Sequence, residues 1–110
     1  MGLIDHYNFE LLENEAEKLV FDELERQLAL FDEDLCRCND CVVDMATMAL
    51  NMVKPLYRFS LLGTLYAAQA MADEAYAASV REAVSKAIEK IRLNPSHDWQ
   101  PATSVSPGEA

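Results

Sequence analysis

Leu35-Cys36-Arg37-Cys38-Asn39-Asp40-Cys41-Val42-Val43-Asp44 opens the stretch that organises this chain, and Lys54-Pro55-Leu56-Tyr57-Arg58 closes it. The three cysteines are the only ones present, and they fall within six residues. Between the two motifs the pattern predicts a helix over 39–53, with Asn39 or Asp40 as its cap. Val42, Val43, Met45, Ala46, Met48, Ala49, Leu50, Met52 and Val53 are apolar, while Asp44, Thr47 and Asn51 form one narrow polar stripe. A helix apolar nearly all round is expected at the centre of a fold. Lys54-Pro55 ends it, because proline disfavours a helical residue before it.

Outward from that centre the chain reads as helical on both sides. Phe9, Leu12, Ala16, Val20, Leu24, Leu28 and Phe31 recur at spacings of three and four, which predicts a helix from Asn8 to about Leu30. Glu10, Glu13 and Glu15 would crowd its first turns, where the helix dipole favours acids. Leu61 to Arg92 reads as one long helix, or as two with a break near Asp73, with Glu82 and Lys86 as a supporting pair. Unbroken, some 30 residues would span about 45 Å, which suggests packing on a second subunit. Residues 94–110 carry Pro95, Pro101 and Pro107 without periodicity and are expected to be a disordered tail that includes Trp99. The expected fold is therefore all-α: a three- to four-helix domain over 1–93 with a cysteine-rich knuckle, forming a symmetric homodimer.

At 110 residues this is one small domain, of a size that often relies on a metal or a partner subunit. No apolar run reaches the length of a membrane span, and a basic, then hydrophobic N-terminal leader is lacking. The expectation is a cytoplasmic protein with no membrane association. The odd, tightly spaced cysteines agree, since such a cluster in a reducing compartment binds metal more often than it forms disulfides.

The net charge of −10 is uneven. Residues 1–34 hold eleven acids and two bases, whereas residues 35–72 hold two acids and three bases, Arg37, Lys54 and Arg58. A net-acidic protein is a poor binder of duplex nucleic acid. A small phosphate-bearing ligand is still admissible if the few bases converge.

Cys36, Cys38 and Cys41, at the mouth of a helix, can all point at one zinc ion as thiolates. The helix dipole would help keep Cys38 and Cys41 ionised. A fourth ligand would come from His97, His6, Asp34, Asp44 or water. The alternative is three reduced thiols packed as small hydrophobes. In the closing motif, Tyr57 can stack on a base, Arg58 can grip a phosphate as a fork, and Lys54 adds a point charge. Otherwise Tyr57 simply packs on a neighbouring helix. Arg37 could reach a phosphate or pair with Asp34 or Asp40. Asp44 could support a metal ligand, and Asn51 could cap the helix C-terminus. The chain has no nucleophile elbow, P-loop, G-x-G-x-x-G or H-E-x-x-H, and an enzyme is not expected.

The string C-x-C-x-x-C-x-x-D, a helix ending in Leu50-Asn51, and then Pro55-x-Tyr57 together resemble the ComFB family. The resemblance covers roughly residues 8–70 and is strongest from Cys36 to Tyr57. It implies a non-catalytic receptor for a cyclic dinucleotide second messenger, cyclic di-GMP above all, which relays the signal to a partner protein not identified by the sequence. It further implies a shared dimer cleft with arginine and tyrosine at its base. Tyr57 matches the family tyrosine, and Arg58 and Lys54 flank it. The alternative function is a zinc-stabilised interaction module in a competence or motility apparatus, with no nucleotide ligand.

Overall fold

The computed structural model of the protein describes residues 2–95. Four α-helices carry the chain: α1 (Ala16–Leu30), α2 (Asn39–Leu50), α3 (Leu61–Met71) and α4 (Glu74–Leu93). Two short strands, β1 (Glu13–Asn14) and β2 (Tyr57–Arg58), pair antiparallel, Glu13 opposite Arg58 and Asn14 opposite Tyr57. A single 3-10 turn covers Leu3–Asp5. Among the described residues no helix is long and apolar enough to cross a membrane.

The core lies where α1, α2 and α4 meet. Each helix contributes one face at helical spacing: Ala16, Val20 and Leu24 from α1; Cys41, Met45 and Ala49 from α2; Val80, Val84, Ala87, Ile88 and Ile91 from α4. No buried side chain among the described residues is polar or charged. The small residues Ala49, Ala83 and Ala87 share this core with the larger Met45, which is fully buried. Two anchors fix the antiparallel course of α4 along α2. The Tyr76 hydroxyl, near the start of α4, donates to the Lys54 carbonyl just past α2 (2.7 Å). Arg92, near the end of α4, faces Glu33 in the link that precedes α2 (3.9 Å).

Several sequence expectations shift. The first helix begins at Ala16, not Asn8, because Asn8 and Asn14 turn their side chains onto the backbone. The Asn8 carbonyl oxygen accepts from Glu10 N–H (2.8 Å), and that of Asn14 accepts from Ala16 N–H (3.1 Å). Such local bonds compete with the helical ladder. The second helix stops at Leu50, where Asn51 takes the cap position and its side-chain amide donates to the Thr47 carbonyl (3.1 Å). It is not buried all round: Val43 is 52% exposed. Of the two readings of the C-terminal stretch, the broken one holds: it is two helices, parted near Asp73. Asp73 caps α4, its carboxylate accepting from Ala75 N–H (3.0 Å). The 45 Å rod, and the argument for a second subunit built on it, therefore falls away. The tail residues 96–110, with His97 and Trp99, lie outside the described residues.

Candidate functional site

The knuckle is built by the first turn of α2 and the link before it. Cys38 is the N-cap residue, with extended backbone, and its sulfur accepts from the Cys41 N–H at 3.4 Å. That geometry turns Cys38 back over the helix mouth, while Cys41, three residues on, is buried beneath it. Cys36 approaches from the link. The three sulfurs lie within 4.8 Å of one another and no disulfide joins them. A zinc ion with sulfur ligands at 2.3 Å requires sulfur–sulfur separations of about 3.8 Å, so a contraction of about 1 Å at most would seat one. The Cys41 N–H above all, then the neighbouring thiols and the Asp40 N–H, hold the Cys38 thiol below its ordinary value, against an opposing effect of burial. Among the described residues no histidine or carboxylate lies within the same 4.8 Å cluster as the three sulfurs. His97 lies outside the described residues.

Arg37 sits between two of the thiols but points away from them. Its guanidinium donates to the Leu28 carbonyl (2.8 Å), which also accepts from the Phe31 N–H, and to the Phe31 carbonyl (3.2 Å), both at the end of α1. These bonds, not an ion pair with Asp34 or Asp40, hold the guanidinium, and they clip the knuckle onto α1. Arg37 also stands at one end of an apolar groove of about 650 Å³ between α1 and α2, lined by Phe21, Leu24, Leu28, Val42 and Leu50.

The closing motif lies elsewhere. Tyr57 and Arg58 form β2 and, with Glu13, Glu15, Lys18 and Phe21, line an open cleft of about 700 Å³. The Tyr57 side chain is mostly out of contact, with the residue 57% exposed. Arg58 is half-buried and doubly held: its Nε donates to Glu15 and its Nη2 to Glu13 (2.5 Å). Glu15 above all, then Glu13, stabilise the charged guanidinium. Lys18, the other base lining the cleft, pairs with Asp22 at 3.1 Å. Glu17 adds a further carboxylate, so the cleft of the single chain is net acidic. Lys54 is exposed and offers its carbonyl to Tyr76. Tyr57 and Arg58 thus share one cleft, while Lys54 and Arg37 do not line it.

The sequence reading missed Glu13 and Glu15 as partners of Arg58, since their pairing spans more than forty residues. It also missed Gly63 in the first turn of α3. A Cβ there would stand 3.1 Å from the Arg58 Cα, so the glycine lets α3 start against the backbone of β2. Beyond that contact α3 is little covered. Of its residues only Ala67 is buried, and Leu61 (74%), Leu62 (77%), Leu65 and Tyr66 are exposed along a helix without a charged residue.

Comparison with known proteins agrees with this architecture. The family model described as "Late competence development protein ComFB" matches residues 13–95. Among solved structures, that of the late competence protein ComFB from Bacillus subtilis superposes with a TM-score of 0.60 at 21% sequence identity, covering 77% of this chain and 94% of that one. No curated protein matches the sequence.

Proposed function

Because this chain belongs to the ComFB family, we propose that it is a non-catalytic receptor for a cyclic dinucleotide, cyclic di-GMP in the first instance, held together by a structural zinc ion and acting as a homodimer. The observation that carries the reading is the pair at β2: an exposed Tyr57 ring on the wall of a 700 Å³ cleft, with the Arg58 fork beside it. That volume falls within the range of small-molecule pockets. An aromatic face stacks on a base and an arginine fork matches a phosphate. The ligand recognition itself comes from the family resemblance, in which Tyr57 is the matching tyrosine.

Cys36, Cys38 and Cys41 would hold the zinc. The ion supplies folding free energy rather than chemistry. Its thiolates fix the mouth of α2, and Arg37 carries that order to the end of α1. The uncharged face of α3 is the natural contact for a second copy, since water-exposed apolar surface of this extent gains by being covered. It adjoins β2, so a dimer formed there would add a second wall beside Tyr57.

A specific observation favours the second reading, a zinc-stabilised interaction module without a nucleotide. Both bases of the cleft are already paired with acids, and Arg37 is spent as a helix cap. Calorimetric titration with cyclic di-GMP separates the two. The receptor reading expects saturable heat that Tyr57→Ala weakens by roughly 1–3 kcal/mol and Arg58→Ala by roughly 1.5–3 kcal/mol. No heat with cyclic di-GMP, cyclic di-AMP or linear guanine dinucleotides would leave the interaction module in its place.

A further inference from the structure

We infer that the apolar groove between α1 and α2 is the seat of α3 from a second copy of the chain, each protomer lending its helix to the other. The inference rests on the homodimer proposed above and names the two surfaces that meet. The groove is bordered by Phe21, Leu24 and Leu28 on α1 and by Val42, Val43 and Leu50 on α2, and no residue of α3 lines it within its own chain. Of the residues lining it only Glu25 and Arg37 are charged, and Arg37 is held by the carbonyls at the end of α1. Whatever covers such a groove must bring little charge, because a charge taken out of water without a partner is costly.

The same sequence carries a helix that meets this requirement. Residues 59–72 hold no charged residue, and Leu61, Leu62, Leu65 and Tyr66 of α3 are exposed. A helix apolar on nearly all sides belongs in a core, yet its own chain buries only Ala67. The lengths agree as well: α2 rises about 12 Å from Val42 to Leu50, and the eleven residues of α3 rise about 16 Å. Other concave surfaces of the chain suit α3 poorly. The Tyr57 cleft presents Glu13, Glu15 and Glu17, and the crevice between α1 and α4 presents Asp22, Glu23, Arg26 and Arg81. Two reciprocal helix-in-groove contacts about a twofold axis cover the groove and α3 of both protomers at once. Pairing α3 with α3 would leave both grooves open. Phe21 lines the groove and the Tyr57 cleft alike, so the partner subunit's α3 would pass beside the cleft and wall one side of it.

The test is complementation, read by sedimentation equilibrium of the full 110-residue chain at micromolar concentration. The groove variant is Val43→Lys with Thr47→Lys, and the helix variant is Leu62→Glu with Leu65→Glu. All four positions are exposed, so each fold should persist, which a melting curve verifies. Ala29→Lys, also exposed and on the α1 wall of the groove, gives the same reading if the α2 pair unfolds. The expected result is a dimer for the unaltered protein, a monomer for each variant alone, and a dimer again when the two variants are mixed. In the mixture one groove and one α3 remain unaltered and meet, while the altered pair brings lysine to glutamate. If the groove variant stays dimeric, or if the mixture stays monomeric, α3 does not lie in the groove, and the homodimer reading stands on another contact. If the unaltered protein is a monomer, the homodimer reading is lost and the inference with it.

Discussion

The Tyr76 hydroxyl donates a 2.7 Å hydrogen bond to the Lys54 carbonyl, joining the first turn of α4 to the turn that follows α2. Burial pushes the Tyr76 phenol up, so it remains a neutral donor across the physiological range. Tyr76→Phe keeps the ring and removes only the bond. Urea unfolding should show a loss of about 0.5–1.5 kcal/mol with an unchanged slope. A loss well beyond that would mean the ring, not the hydroxyl, had been disturbed.

Zinc should be present at about one ion per chain in protein purified without chelator, as measured by elemental analysis. Cys38 has two roles here, ligand and helix cap, and serine separates them. Serine caps well but is a poor zinc ligand. Cys38→Ser should therefore lose metal and melt earlier, and chelator should lower the melting temperature of the unaltered protein but not of the variant. Metal content near zero, with no effect of chelator, would rule the site out.

The exposed face of α3 makes the oligomeric state a sharp test. An isolated helix of eleven residues is marginal in water, and burial of Ala67 alone does little to hold it. Sedimentation equilibrium at micromolar concentration should give a dimer, and Leu62→Glu with Leu65→Glu should give a monomer. A monomer mass for the unaltered protein would refute the α3 contact.

Glu23 sets an acid-sensitive contribution. Its carboxylate accepts from Arg26 (3.1 and 2.6 Å) and from the Gln27 amide (2.7 Å), which also donates to the Arg81 carbonyl of α4 (3.0 Å). The Arg26 bonds, above all, hold its carboxyl below the usual range, against an opposing effect of burial. A folded-state value below the unfolded one stabilises at pH above the unfolded value, about 4.3, and that contribution fades as the pH falls through the folded value. Denaturant midpoints of Glu23→Gln should accordingly match those of the unaltered protein more closely at pH 3 than at pH 7.

Much of this was legible in the residues. The periodicity from Ala16 to Leu30, the break at Asp73 and the cap at Asn51 are local properties, and local patterns reported them. Phe9 and Leu12 also fit the helical period, yet both are exposed and outside α1. There the local turns of Asn8 and Asn14 displace the helix, and Asn14 is also held by Leu56, a contact across 42 residues that no window sees. The second helix misled for another reason. Its composition is apolar, but a three-helix core covers only the Cys41, Met45 and Ala49 face. In the site, the cysteines announced their cluster by spacing alone. The fate of Arg58 did not show, because its partners come from the acidic N-terminal third, where carboxylates are so abundant that none stands out.

The pairing of Glu13 with Arg58 also imposes an order on the birth of the protein. Glu13 leaves the ribosome before Arg58, which is encoded 45 residues later. At a synthesis rate of about 5–20 residues per second, Glu13 waits roughly 2–9 s before Arg58 exists to receive it. The segment around Glu13 is thus translated well before the partner that secures it. For that interval a nascent-chain factor would meet Leu3, Ile4 and Tyr7 with no fold yet behind them.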